Sequence, residues 1–141
     1  MKLIETTGDI MRDTPPWGTM LISVPGDYQM NGLSAYLDRE FGISRVLNYL
    51  GYKQCPDAIY ACPVLVLVAE PRSDVAPSLE TVERAMRILK KVCLREEIPL
   101  ITMPPLFTNY YSWADVRGII KKIFTDTEIS FYVYFRHKER N

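Results

Sequence analysis

The chain has 141 residues, with 17 Lys and Arg against 17 Asp and Glu and a formal net charge of zero. That length fits one domain able to bury its apolar surface in a single core without metals or disulfides. The balanced charge excludes the basic footprint that a general nucleic-acid patch or an anionic membrane surface requires, so any ligand must be recognised by a local site.

The opening "MKLIETTGDIM" has too short an apolar part for a signal peptide, and no apolar run approaches the roughly 18 residues of a membrane span. The expectation is an intracellular, cytoplasmic chain with no direct membrane contact. Cys55, Cys62 and Cys93 are odd in number, lack zinc spacing and lie far from the lone His137. They read as reduced structural thiols, with no metal and no cofactor expected.

In chain order, Leu3 and Ile4 begin a short strand that "TTGD" ends, and Thr19 to Val24 form a second between Pro16, Gly18 and Pro25. Leu33 to Phe41 place apolar residues on one helical face, with Gly42 as the cap, and Ser44 to Tyr52 form another short helix. Within "AIYACPVLVLVAE", Val64 to Ala69 is the densest apolar run; its Val/Leu alternation predicts a central strand buried on both faces. Ser78 to Arg95 carry Leu79, Val82, Met86, Leu89 and Cys93 at helical spacing, and the helix is expected to open at Pro77, where a missing amide hydrogen costs nothing.

Pro99 to Pro104 give a buried strand, and Ser112 to Asp115 a capping box with Asp in place of Glu. The helix that follows has a core face of Trp113, Val116, Ile119, Ile120 and Ile123. "EISFYVYFR" is a last β-branched and aromatic strand, and residues 137–141 are a charged tail.

The predicted order is β-β-α-α-β-β-α-β-α-β. Strands alternating with helices need crossovers, hence an α/β fold with a mostly parallel sheet covered on both faces. Ligands of such sheets bind at the carboxyl ends of the strands. Three loops qualify: "TGDIM", "VPGDYQMNG" and "PPLFTNYYS".

These segments resemble the macro domain family. "IETTGDI" (residues 4–10) is similar to its opening strand and Gly-Asp-Ile turn, and "NGLSAYLDREFG" (31–42) to its phosphate loop and following helix. "ITMPPLFTNYYSWADVRGIIKKIF" with "EISFYVYF" is similar to its last elements. The resemblance is greatest to the branch holding terminal ADP-ribose glycohydrolases, DNA-ADP-ribosyl glycohydrolase antitoxins and ADP-ribose 1''-phosphate phosphatases. It implies one three-layer α/β/α domain over residues 1–136, with a mixed central sheet.

The resemblance also implies a ligand, ADP-ribose or a derivative, free or carried on a macromolecule. Gly8, Asp9 and Ile10 would read adenine, the carboxylate accepting from the exocyclic amine and the Ile10 amide donating to a ring nitrogen. Composition alone makes Gly-Asp an ordinary turn. Asn31, Gly32, Leu33 and Ser34 would hold the diphosphate at a helix amino terminus, although Tyr28, Gln29 and Met30 replace some of the family's glycine. Pro104, Phe107, Thr108, Asn109 and Tyr110 would meet the distal part, and Tyr134 or Phe135 would flank the adenine.

The family's loop at "LFTNYYS" is glycine-rich, and here it has no glycine. Family hydrolases of this branch use a lysine after the central strand, an aspartate in that loop, or both. This chain has Glu70, Pro71 and Arg72 in the first place and no aspartate before Asp115 in the second. Arginine stays protonated and cannot act as an amine nucleophile. Glu70, with Asn31, is the catalytic candidate that remains for a glycohydrolase or phosphatase, and Asp74 is the other nearby acid, both in what reads as a solvated loop. A third reading is an interaction module without ligand; a cleft plugged by Tyr28, Met30, Phe107 and Tyr110 would favour it.

Overall fold

A computed structural model describes residues 1–50 and 55–136. The elements run β1 (Lys2–Thr7), α1 (Ile10–Asp13), β2 (Thr19–Ser23), α2 (Gly32–Phe41), α3 (Ile43–Leu50), β3 (Asp57–Ala61), β4 (Val64–Val68), α4 (Leu79–Arg95), β5 (Leu100–Met103), α5 (Trp113–Phe124) and β6 (Ser130–Phe135). The expected order holds, with one addition: "IMRD" forms a single helical turn, too short to carry a periodic signal. The predicted end of α3 at Tyr52, and the charged tail, lie outside the described residues.

The six strands form one sheet in the order β1-β6-β5-β2-β4-β3. Every neighbouring pair is parallel except β3 with β4, which are antiparallel. A hairpin joins these two, because the "CP" between them leaves no length for a crossover.

The pleat sorts β4 by residue type. Leu65 and Leu67 face one core with α4 and α5, whereas Val64, Val66 and Val68 face a second with α2 and α3. All five are essentially inaccessible to water, and each stabilises the fold by about 2 kcal/mol relative to exposure. The sheet is thus the middle of three layers, with helices on both faces, as its continuous apolar runs required.

The helix ends follow capping chemistry. Gly42 closes α2 in the left-handed conformation at φ 67°. Ser78, not Pro77, opens α4: its hydroxyl accepts from the Thr81 amide at 3.1 Å, so the proline stands one residue before the cap and outside the helix. A hydroxyl that bonds an orphan amide contributes more at this boundary than a proline that merely lacks one. At α5, Ser112 Oγ accepts from the Asp115 amide at 3.3 Å, the forward half of the expected box.

Cys55, Cys62 and Cys93 are free. Burial pushes the Cys93 thiol up to about 12, which keeps it protonated and inert. Among the described residues, no helix is long and apolar enough to cross a membrane.

Candidate functional site

All three expected ligand loops emerge at the carboxyl edge of the parallel strands. Strand order sets their sequence in space: first the β1–α1 turn, then, beyond β6, the β5–α5 loop and the β2–α2 loop, with a fourth loop, β4–α4, following them. A cleft of about 340 Å³ opens among the last three, a volume within the range of small-molecule sites. Asn31, Leu33, Ser34, Pro104, Phe107, Thr108, Asn109 and Tyr110 all line it, and so does Glu70.

In the β2–α2 loop, Ser34 Oγ accepts from the Asn31 amide at 3.1 Å and donates to the Asn31 carbonyl at 2.8 Å. This closes the first turn of α2 and leaves the helix amino terminus directed at the cleft, where backbone N–H groups favour an anion. Gly32 takes a φ of +55°, and a Cβ built there would meet nothing within 4 Å. The glycine therefore serves the left-handed backbone and keeps the approach to the helix end bare. Tyr28 and Met30 do not enter the cleft; both pack against the core beneath α2 and α3. The Tyr28 hydroxyl is buried without a partner among the described residues.

The β5–α5 loop turns without glycine. Phe107 itself adopts the left-handed conformation at φ 61°, at a cost on the order of 1 kcal/mol, and its carbonyl accepts from the amides of Tyr110 at 3.0 Å and Tyr111 at 2.9 Å. Its ring is 7% exposed and belongs to the core under α4 and α5. Phe107 thus forms the floor of the cleft and does not fill it. Tyr111 donates to the Pro77 carbonyl at 2.6 Å and fastens the loop to the start of α4. Tyr110 stays 40% exposed at the rim.

Glu70 is half-buried and faces the cleft, and does not stand in the solvated loop expected of it. Tyr110 Oη reaches across and donates to its Oε2 at 3.4 Å. Burial raises the Glu70 pKa, the Tyr110 hydrogen bond lowers it, and the Asp27 charge raises it further. Asp74 is exposed and pairs with Arg72 at 3.5 Å, outside the cleft.

The β1–α1 turn stands apart. Gly8, Asp9, Ile10 and Tyr134 do not line the cleft; they form a separate shelf at the β1 edge. A Cβ on Gly8 would lie 2.8 Å from both the Tyr134 ring and the Asp13 carboxylate, so a larger residue must displace one of them. Asp9 caps the turn: its Oδ1 accepts from the Met11 amide at 2.8 Å while its own amide donates to Asp13 Oδ2 at 2.8 Å. The Ile10 amide, at the first position of the turn, is not used by that cap. Tyr134 lies behind the turn, 8% exposed, with its hydroxyl donating to the Asp13 carbonyl at 3.2 Å. It supports the shelf from within. Thr14 Oγ1 meets Thr102 Oγ1 at 2.8 Å and also donates to the Ile10 carbonyl, which ties the turn to the middle of β5.

Two supporting residues escaped the sequence reading. Asp27 Oδ2 accepts from the Ser73 amide at 3.0 Å and from its hydroxyl at 2.9 Å, clamping the β2–α2 loop to the β4–α4 loop. Those bonds hold its carboxyl below the usual range. Gly-Asp after a strand was a visible turn signal; the identity of the partner was not, since it lies 46 residues away.

No protein-family model matches the chain, and no curated protein matches it. Solved structures do. The macrodomain of Thermus aquaticus DarG is 17% identical with a TM-score of 0.76, over 94% of this chain and 97% of that one. The macrodomain of Mycobacterium tuberculosis DarG is 14% identical with a TM-score of 0.77, over 94% and 96% respectively. Thermosipho africanus DarTG in complex with ADP-ribose is 15% identical with a TM-score of 0.77, over 99% of this chain and 43% of that chain. The fold is therefore the macrodomain fold.

Proposed function

We propose that this protein binds ADP-ribose or a closely related adenine nucleotide, either free or attached to a macromolecule. The observation that carries the reading is the open cleft at the carboxyl edge of the sheet: Phe107 and Tyr28 bury their rings in the cores and Tyr110 stands at the rim, so there is room for a ligand. A neighbour of the same fold is described in complex with ADP-ribose.

In this reading Asp9 and the Ile10 amide receive adenine on the β1 shelf, with Gly8 and Tyr134 fixing the shelf's shape. The diphosphate crosses to the amino terminus of α2 at Asn31, Gly32, Leu33 and Ser34. Pro104, Phe107, Thr108, Asn109 and Tyr110 enclose the distal ribose. Strands lie about 4.8 Å apart, so the four steps from β1 to β4 span on the order of 19 Å, a fair match to an extended ligand of this kind.

Calorimetric titration with ADP-ribose, NAD and ADP side by side tests the reading. ADP-ribose should bind and raise the melting temperature, and Asp9→Ala should remove that shift. Absence of any heat or shift with the unmodified protein at millimolar ADP-ribose would overturn it.

A further inference from the structure

The charge along the cleft changes sign. Its middle meets the amino terminus of α2, with the partial positive charge of unpaired backbone N–H groups. One strand further from the β1 shelf, the wall is Glu70, with Asp27 close enough behind it to raise its pKa. None of the residues lining the cleft is Lys or Arg. The cation nearest in sequence, Arg72, is exposed and paired with Asp74. Among the described residues, the side-chain hydrogen bond to Glu70 comes from the neutral Tyr110 hydroxyl, which brings no positive charge to the carboxylate.

We infer that Glu70 selects ligands whose distal end is an uncharged sugar diol and rejects those whose distal end is a phosphate monoester. This rests on the ADP-ribose reading and deepens it. A diol places two hydroxyl donors where the Glu70 carboxylate accepts, a charge-assisted pair. A phosphate monoester places up to two negative charges beside a fixed one, in a partly desolvated cleft where repulsion is weakly screened. The diphosphate escapes this penalty because it lies one strand closer to the shelf, at the helix terminus.

The test is a pair of calorimetric titrations, with ADP-ribose and with ADP-ribose 1''-phosphate, on the unmodified protein, on Glu70→Gln and on Glu70→Lys. The unmodified protein should prefer ADP-ribose by a factor on the order of ten. Glu70→Gln, which keeps the shape and removes the charge, should bring the two affinities together. Glu70→Lys should reverse the order.

Equal binding of the two ligands by the unmodified protein overturns the inference and leaves the ADP-ribose reading standing. A preference unchanged in Glu70→Gln does the same. Failure of the unmodified protein to bind either ligand overturns both.

Discussion

The β1–α1 turn and the β5–α5 loop sit at the same edge of one sheet and are held by opposite means. The turn is fixed by polar bonds in a glycine-sized gap: Asp9 caps it, Asp13 closes it, and the Tyr134 and Thr14 hydroxyls tie it down. The loop is fixed by an apolar anchor, Phe107, whose ring is driven into the core even though its backbone is strained. A loop can therefore make such a turn without glycine if an aromatic ring offsets the strain by burial. One such ring contributes roughly 2 kcal/mol or more, against a strain on the order of 1 kcal/mol.

The strongest way to break this contrast is Phe107→Ala. It keeps the left-handed backbone and removes the anchor, so a loss of about 3 kcal/mol is expected from the denaturant midpoint. A loss under about 1 kcal/mol would mean that the loop is held by its hydrogen bonds. Gly8→Ala attacks the turn by crowding instead. Its new methyl meets Tyr134 and Asp13 at 2.8 Å, and a loss of about 2 kcal/mol together with the ADP-ribose shift is expected. Retention of both would show that the shelf has room to yield.

Asp9→Ala removes one cap and should cost about 1 kcal/mol of stability. Its effect on ligand binding should be far larger than that figure suggests, which melting curves with and without ADP-ribose would reveal. The smallest effect separates the two regions by pH. Arg12 and the Asp9 amide hold the Asp13 carboxyl at about 2, against an ordinary 3.8. A depressed carboxyl contributes stability above its unfolded value and loses it as pH falls, here from about 4 towards 2. Glu70 is shifted the other way, from an ordinary 4.5 upward, so its contribution is complete below 4.5 and disappears as pH rises through its folded value. Melting temperatures should therefore depart from the unmodified protein with opposite slopes, for Asp13→Asn between about pH 4 and 2 and for Glu70→Gln as pH rises above 4.5.

The fold was largely legible because its signals are local and repeated. Val64 to Val68 could hardly be anything but a strand buried on both faces, and the period from Leu79 to Cys93 specified α4. The four-residue α1 was not legible, since one turn has no period, and neither was the true start of α4, where Pro77 and Ser78 compete for the boundary. The candidate site was legible in outline, as three loops at one sheet edge. What sequence could not supply was where the aromatic rings go. Tyr28 and Tyr134 turn inward, and Phe107 buries its ring beneath the cleft it lines, because a large apolar ring gains more from a core than from a wet cleft. Glu70 moved the other way: it faces the cleft, where its side-chain partner Tyr110 lies forty residues on.

The pairing of the first strand with the last has a consequence for the order of assembly. β1 runs in register with β6 from Lys2 opposite Ser130 to Thr7 opposite Phe135, and the turn that follows β1 leans on Tyr134. During synthesis the β1–α1 turn therefore has no template until β6 has been made. Closing so long a loop is also among the slower steps of folding. The cleft between the β2, β4 and β5 loops draws on strands that are complete earlier, so a nascent chain acquires the cleft before the β1–α1 turn is seated.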